Sequence, residues 1–282
     1  MDRKVRINPK LIIFMLLAVF FVSGFDARLK IRNYTVDSEK IQTPLRIALI
    51  SDLHSCKYGE NQRQILDALD SQNPDLVMLA GDIFDDVLPD DNTEDFLKGM
   101  DSKYPVFYVT GNHEFWSGEH AFLRKMDILE KYNATVLSGE RAEIEINGET
   151  LNICGVDDPD AYMLFSNRKD YKTFPEQIQY VSELAEKEVY TILLSHRPEH
   201  FDFYAQNGFD MVLSGHAHGG QWRIPLLLNG FFAPNQGFFP KYAGGKYEEL
   251  STTMIVSRGL AKQSTPIPRF FNRPELVIID LV

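Results

Sequence analysis

The chain has 282 residues, 44% of them hydrophobic, and a formal net charge of −11. That length and apolar share suit one large domain with a full core, and the acidity argues against a surface built to hold nucleic-acid backbones. Two cysteines, Cys56 and Cys154, are too few for a disulfide framework and show no CxxC spacing, so both read as free, buried thiols.

Arg3, Lys4, Arg6 and Lys10 precede a stretch from Leu11 to Phe25 that carries no charge. A helix over that stretch rises roughly 22 Å, against a hydrocarbon core of ~30 Å. Snorkelling by Lys10 and local bilayer thinning would close the gap. Residues 1–25 are therefore expected to be a membrane anchor, with a cleaved signal segment as the rival. The anchor is preferred because Val22-Ser23-Gly24 makes a poor cleavage site. Arg28, Lys30 and Arg32 nearly balance the upstream cations, leaving a lean toward an N-inside, membrane-associated chain with its catalytic domain extracytoplasmic.

Residues 26–44 read as a linker running into a first strand. Leu45–Ile50 is a short apolar run of the kind buried on both faces of a sheet, and Leu76–Ala80 is a second. Between them, Asn61–Ser71 carries Ile65, Leu66 and Leu69 at helical spacing. Thr93–Met100 predicts a short helix, Pro105–Val109 a third strand, and Glu119–Tyr132 a helix with Phe122, Leu123, Met126 and Leu129 on one face. The pattern then changes. Glu143–Ile146 alternates with period two, Asn147-Gly148 supplies a tight turn, and Leu151–Ile153 returns as a hairpin. Thr191–Leu194, Met211–Leu213, Thr252–Ser257 and Leu276–Ile279 are further strands. No composition break divides residues 45–282, which are expected to form one catalytic domain. Alternation giving way to hairpins predicts an α/β fold of two packed mixed β-sheets flanked by helices.

Polar residues gather where those strands end: Ser51-Asp52-Leu53-His54, Gly81-Asp82-Ile83-Phe84-Asp85, Gly111-Asn112-His113-Glu114, Ser195-His196 and Gly215-His216-Ala217-His218-Gly219-Gly220. Sheets of this kind place ligands just beyond the carboxyl ends of their strands. Oxygen and imidazole donors without thiolate suit Mn, Fe or Zn. Each fragment alone is a common turn, but five in order, each closing an apolar strand, are not.

In this order the fragments resemble the calcineurin-like metallophosphoesterase family, whose pattern is complete from Leu45 onward. The resemblance implies an αββα sandwich and two divalent metal ions. It implies Asp52, His54 and His218 on the first metal, Asn112, His196 and His216 on the second, and Asp82 bridging both. It further implies His113 over the substrate as a proton donor, Asp85 orienting that histidine, and Glu114 supporting the ligands from behind. Two cations ~3.5–4 Å apart neutralise phosphoryl oxygens and activate a water, and an imidazolium protonates the leaving oxygen. Asp86, Asp90 and Asp91 read as a solvated acidic loop.

The Gly-His-Ala-His-Gly-Gly-Gln run and the apolar N-terminus look most like the bacterial membrane-associated phosphodiesterase branch. The arginine that follows the second motif in protein phosphatases is absent, because Asp85 is followed by Asp86-Val87. The expected substrate is a phosphodiester or pyrophosphate, lipid-linked in one reading. The rivals are a nuclease of the same family and a non-enzymatic metal-binding module. Arg258, closing a late strand, is a candidate for substrate binding. Leu226–Leu228, Phe231-Phe232 and Phe238-Phe239 either fold back on the core or form a membrane-facing lip. The oligomeric state is not legible.

Overall fold

The computed structural model describes residues 8–262 and 267–282. Its strands are β1 (Lys30–Val36), β2 (Leu45–Ile50), β3 (Leu76–Ala80), β4 (Val106–Val109), β5 (Ala134–Val136), β6 (Glu140–Ile146), β7 (Glu149–Gly155), β8 (Tyr190–Leu194), β9 (Met211–Ser214), β10 (Phe232–Ala233), β11 (Gly237–Phe238), β12 (Gly245–Glu249), β13 (Thr252–Val256) and β14 (Glu275–Leu281). The helices are α1 (Pro9–Ser23), α2 (Arg63–Asp70), α3 (Asp91–Met100), α4 (Asn112–Trp116), α5 (Glu119–Lys131), α6 (Tyr162–Phe165), α7 (Phe174–Leu184) and α8 (Phe201–Gln206).

Two six-stranded sheets form. One has the order β1-β14-β2-β3-β4-β5 and the other β12-β13-β9-β8-β7-β6. Within the first, β2, β3, β4 and β5 run parallel, and β14 is antiparallel to β2. Within the second, β7, β8, β9 and β13 run parallel, with β6 and β12 antiparallel at the edges. Both sheets are therefore mixed, as the sequence predicts.

The central strands are apolar on both faces because each face meets a different partner. Ile47, Leu49 and Met78 turn inward against Ile153, Ile192, Leu213 and Ile255 of the opposite sheet. Ala48, Ile50, Val77 and Leu79 turn outward onto Ile65, Leu69, Phe96 and Leu129 of α2, α3 and α5. On the far side, Leu193, Val212 and Met254 pack on Ile178, Val181, Phe201 and Tyr204 of α7 and α8. The result is the expected four-layer sandwich. Both cysteines are buried and unbridged. The β6–β7 hairpin turns at Asn147 and Gly148, with φ of 53° and 84°, as a tight turn of that sequence requires.

Two expectations change. Residues 30–36 are not linker but an edge strand, parallel to β14 from Lys30↔Glu275 to Val36↔Leu281. The alternation places Arg32, Tyr34 and Val36 on the less exposed face, a weak signal in a strand with one apolar anchor. The N-terminal apolar stretch is a 15-residue helix with no buried residue, and among the described residues no helix is long and apolar enough to cross a membrane. A spanning anchor is thus not supported by the helix's length.

Candidate metal centre

The five polar fragments meet at one end of the sandwich, at the carboxyl ends of β2, β3 and β4 in one sheet and β8 and β9 in the other. Three sets of donors form there among the described residues, each with its donor atoms within 4.8 Å of one another: Asp52 with His54 and His218, Asp82 with His196 and His216, and, sharing His54 with the first and less deeply buried, His54 with Asp85 and His113. Asp82 Oδ2 lies 3.1 Å from His196 Nε2 and 3.6 Å from His54 Nε2, so one carboxylate oxygen faces both of the first two sets. Asp52, His54, Asp82, Asn112, His196, His216 and His218 are all buried.

The backbone bends hard to achieve this. Asp52, His54, Asp82, His216 and His218 have φ between 46° and 65°, the left-handed region that non-glycine residues avoid. Such strain persists where surrounding structure over-determines it, and it marks working residues. Gly111 is required by close approach, because a Cβ there would collide with the Asp82 carboxylate.

Three imidazoles are each anchored through one nitrogen. His54 Nδ1 donates to Asp85 (3.2 Å) and His196 Nδ1 to the Ala80 carbonyl (2.8 Å), while His216 Nε2 is held between Asn235 Oδ1 (2.8 Å) and Arg197 Nη1 (3.1 Å). The opposite nitrogens are left as electron-pair donors facing the cluster, the arrangement that metal-binding histidines need. His54 Nε2, Asp82 Oδ2, Asn112 Oδ1 and His218 Nδ1 are buried without a hydrogen-bond partner. Orphaned polar atoms of this kind are costly unless something else satisfies them. Oxygen and imidazole donors, deeply buried and unsatisfied, fit divalent cations.

The electrostatics agree. Burial pushes the Asp82 carboxyl up, but His196, His54 and His113 outweigh it and hold the group well below the usual range. Burial also pulls His196 down, yet Asp82 and Asp52 raise it to about 10 in the metal-free chain. Burial, then the charge of His196, depresses His216, while burial and His54 depress His218. The cluster is thus held by sharing protons, which cations would displace. Glu114 supports it from behind: its carboxylate accepts from Asp82 N (3.1 Å), Gly111 N (2.7 Å) and Phe84 N (3.0 Å).

His113 lines a cavity of about 140 Å³ with Asp82, Asn112, Trp116, Asp160, Arg197, His216, His218, Pro234 and Asn235. Its orienting partner differs from expectation. His113 Nδ1 donates to Asp86 at 2.6 Å, whereas Asp85 Oδ2 stands 3.8 Å away and serves His54. The reason is local: Asp85 Oδ1 accepts from Val87 N and Leu88 N, a turn that pins its side chain toward His54. The roles separate accordingly. Asp85→Asn is expected to weaken metal affinity by about 10–100-fold, and Asp86→Asn to lower kcat with metal content unchanged; metal analysis beside steady-state kinetics checks both.

Arg258 is not at the cavity. It is buried, its Nη1 bonded to Glu275 Oε2 (2.9 Å) and its Nη2 to the Gly244 carbonyl (3.2 Å). A strand-end position alone could not distinguish a residue turned toward β14 from one turned toward the site. Arg258→Ala is expected to leave KM unchanged and to cost about 3–5 kcal/mol of stability by stranding Glu275, read by chemical unfolding.

The arginine at the site is Arg197. Its Nε and Nη2 clasp Asp158, and its Nη1 bonds Asn235 Oδ1 (2.6 Å) beside His216. Its place directly after His196 was the available signal. Asn235, in a loop of prolines and glycines, offered none.

A buried double set of oxygen and imidazole donors joined by one carboxylate, open to a small cavity, defines a metal-dependent hydrolase of the phosphoesterase kind. Residues 45–220 match the calcineurin-like phosphoesterase family, and the chain belongs to it. It is 30% identical to an uncharacterised metallophosphoesterase of Aquifex aeolicus over 260 residues, 90% of this chain and 92% of the relative. A bovine transmembrane protein with a metallophosphoesterase domain is 26% identical, over 99% of this chain and 63% of its own. Among solved structures, the NAD nucleotidase of Haemophilus influenzae shares the fold, with a TM-score of 0.56, 19% identity and coverage of 78% of this chain. This chain spans about half of that one, 46%. The family hydrolyses phosphoesters with divalent metals.

Proposed function

We propose that this protein hydrolyses phosphodiester or pyrophosphate bonds at two divalent cations, one held by Asp52, His54 and His218, the other by Asn112, His196 and His216, with Asp82 shared. The observation that carries this reading is the position of Asp82 Oδ2 between the two histidine sets. When bound, the cations supply charge neutralisation and an activated water. The chain's own part is positional and acid–base. His113, held through Nδ1 by Asp86 and packed edge-on to His54 at 4.4 Å, keeps Nε2 as the nitrogen that hands a proton to the leaving oxygen. Arg197 is the cation lining the cavity, and Asp158 already offsets its charge. Asp86 and Asp160 add negative charge beside His113 and Trp116. Those carboxylates disfavour a dianionic monoester more than a monoanionic diester, which supports diesters within this proposal, and a lipid-linked substrate is its narrower form.

The test is hydrolysis of bis-(p-nitrophenyl) phosphate and p-nitrophenyl phosphate by the full chain with added Mn²⁺. Diester turnover is expected to exceed monoester turnover, and His113→Ala to lower kcat by about 10²–10⁴-fold with metal retained. Stoichiometric metal binding with no turnover of either ester would favour a binding module.

A further inference from the structure

Helix α1 is apolar around its whole circumference and exposed: Leu11, Phe14, Leu16, Leu17, Val19, Phe20, Phe21 and Val22 all stand open. A helix with no polar face is at home only in an apolar medium, and at roughly 22 Å it is too short to cross a bilayer alone. It does not stand alone. Gly24 O accepts from Phe271 N (2.6 Å), and a chain of aromatic contacts runs on from the helix. Phe20 meets Phe271 at 4.7 Å, Phe21 and Phe25 meet Phe270 at 5.6 and 5.1 Å, and Phe270 meets Trp222 at 6.1 Å. Trp222 meets Phe231 at 6.4 Å, and Phe231 meets Phe238 and Phe239 at 5.3 and 5.7 Å.

Along this line lies a wholly apolar groove of about 340 Å³ lined by Trp222, Phe231, Phe232, Phe238, Ile267 and the stem of Gln221. Leu226 and Leu227, in the chain between Trp222 and Phe231, are fully exposed and 84% exposed respectively. The loops that carry the rings also carry the site: Trp222 is four residues beyond His218, and Phe232 three before Asn235.

Charge divides the same way. Residues 1–36 hold 7 Lys/Arg against 2 Asp, residues 221–247 hold 3 Lys/Arg and residues 258–274 hold 4, with no acid in either of the latter two. The rest of the chain carries 15 Lys/Arg against 38 Asp/Glu. Arg258 is paired with Glu275, but the remaining cations of these segments, among them the exposed Lys10, Arg28, Lys241 and Lys246, set sequence of net positive charge next to the apolar residues of an otherwise acidic protein, which is complementary to a bilayer with anionic headgroups.

We infer that α1, the Phe270-Phe271 pair and the Trp222–Phe239 loops form one membrane-docking face, which seats the metal centre against anionic lipid. Docking goes beyond the reaction proposed above and does not depend on it. It gives that reading a source of substrate at the bilayer surface.

Trp116 and Trp222 are the chain's two tryptophans, so Trp116→Phe leaves Trp222 as the sole reporter on the face. The experiment mixes the full chain with phosphatidylcholine vesicles, with and without phosphatidylglycerol, and uses lipids brominated on the acyl chain as quenchers. Flotation with the anionic vesicles and loss of most Trp222 emission to bromolipid are expected. In the otherwise unaltered chain, Phe238→Asp with Phe239→Asp, both at exposed positions, is expected to weaken partitioning at least about tenfold. Flotation with Trp222 unquenched would overturn the inference, because α1 alone would then be the attachment. So would a dimer that shields Trp222 and ignores vesicles, which would make the face an interface between copies. Asp82→Asn should float like the parent. If the parent floats but hydrolyses nothing, the proposed reaction fails and the docking face stands.

Discussion

Asp82→Asn is expected to lower diester turnover by about a thousandfold or more and to halve the metal content. Asp82 Oδ2 faces both histidine sets, so it is the carboxylate that would be shared between two cations. Its second oxygen accepts from His113 N at 2.9 Å, which also places the proton donor. An amide of the same shape keeps the backbone contact if its oxygen takes that position, but it then turns an NH₂ toward His54 and His196. Loss of several kcal/mol of transition-state charge stabilisation corresponds to roughly three decades in rate. Metal analysis of the purified variant, beside single-turnover kinetics, separates failure to load from failure to react. Wild-type activity with both ions bound would refute the shared-carboxylate assignment.

Glu114→Ala is expected to be the most damaging change outside the ligands. The Glu114 carboxylate receives three backbone N–H groups, from Phe84 and Asp82 after β3 and from Gly111 after β4. It thereby ties two ligand loops, the first of which holds Asp82 in the left-handed region. Burial and the neighbouring Asp82 both push its carboxyl up, while the N–H groups of Gly111 and Phe84 pull it down. Removing it strands three buried donors at about 1–3 kcal/mol each, against a total stability of about 5–15 kcal/mol. Denaturant unfolding of the metal-free chain should show a midpoint far below that of Glu114→Gln, which keeps an acceptor oxygen. Equal midpoints for the two variants would mean that the carboxylate does not tie the loops.

What the sequence discloses and what it hides follow from range. Leu45–Ile50, Leu76–Ala80 and Met211–Leu213 are legible because a strand buried on both faces must be apolar throughout, and the ligands are legible because they close those strands. The exchange of Asp85 and Asp86 was not legible. It depends on which of two adjacent carboxylates accepts from Val87 N and Leu88 N, a matter of one turn's geometry. Arg258 was misplaced because its partner Glu275 is 17 residues on, in β14. Asn235 entered the site only through the fold of its loop. The edge strand β1 was hidden for a related reason: its partner β14 lies at the opposite end of the chain.

That last pairing bears on the order in which the molecule can be made. β14 lies between β1 and β2, parallel to one and antiparallel to the other, so the first sheet stays split until residues 275–281 have left the ribosome. Synthesis proceeds at about 5–20 residues per second, and for all of that time Lys30–Val36 and Leu45–Ile50 each present an open edge, the kind that recruits strands from other chains. Helix α1, already emerged, precedes both edges. A nascent chain that met a lipid surface early would keep those edges apart from neighbouring chains until its own last strand arrived to close the gap.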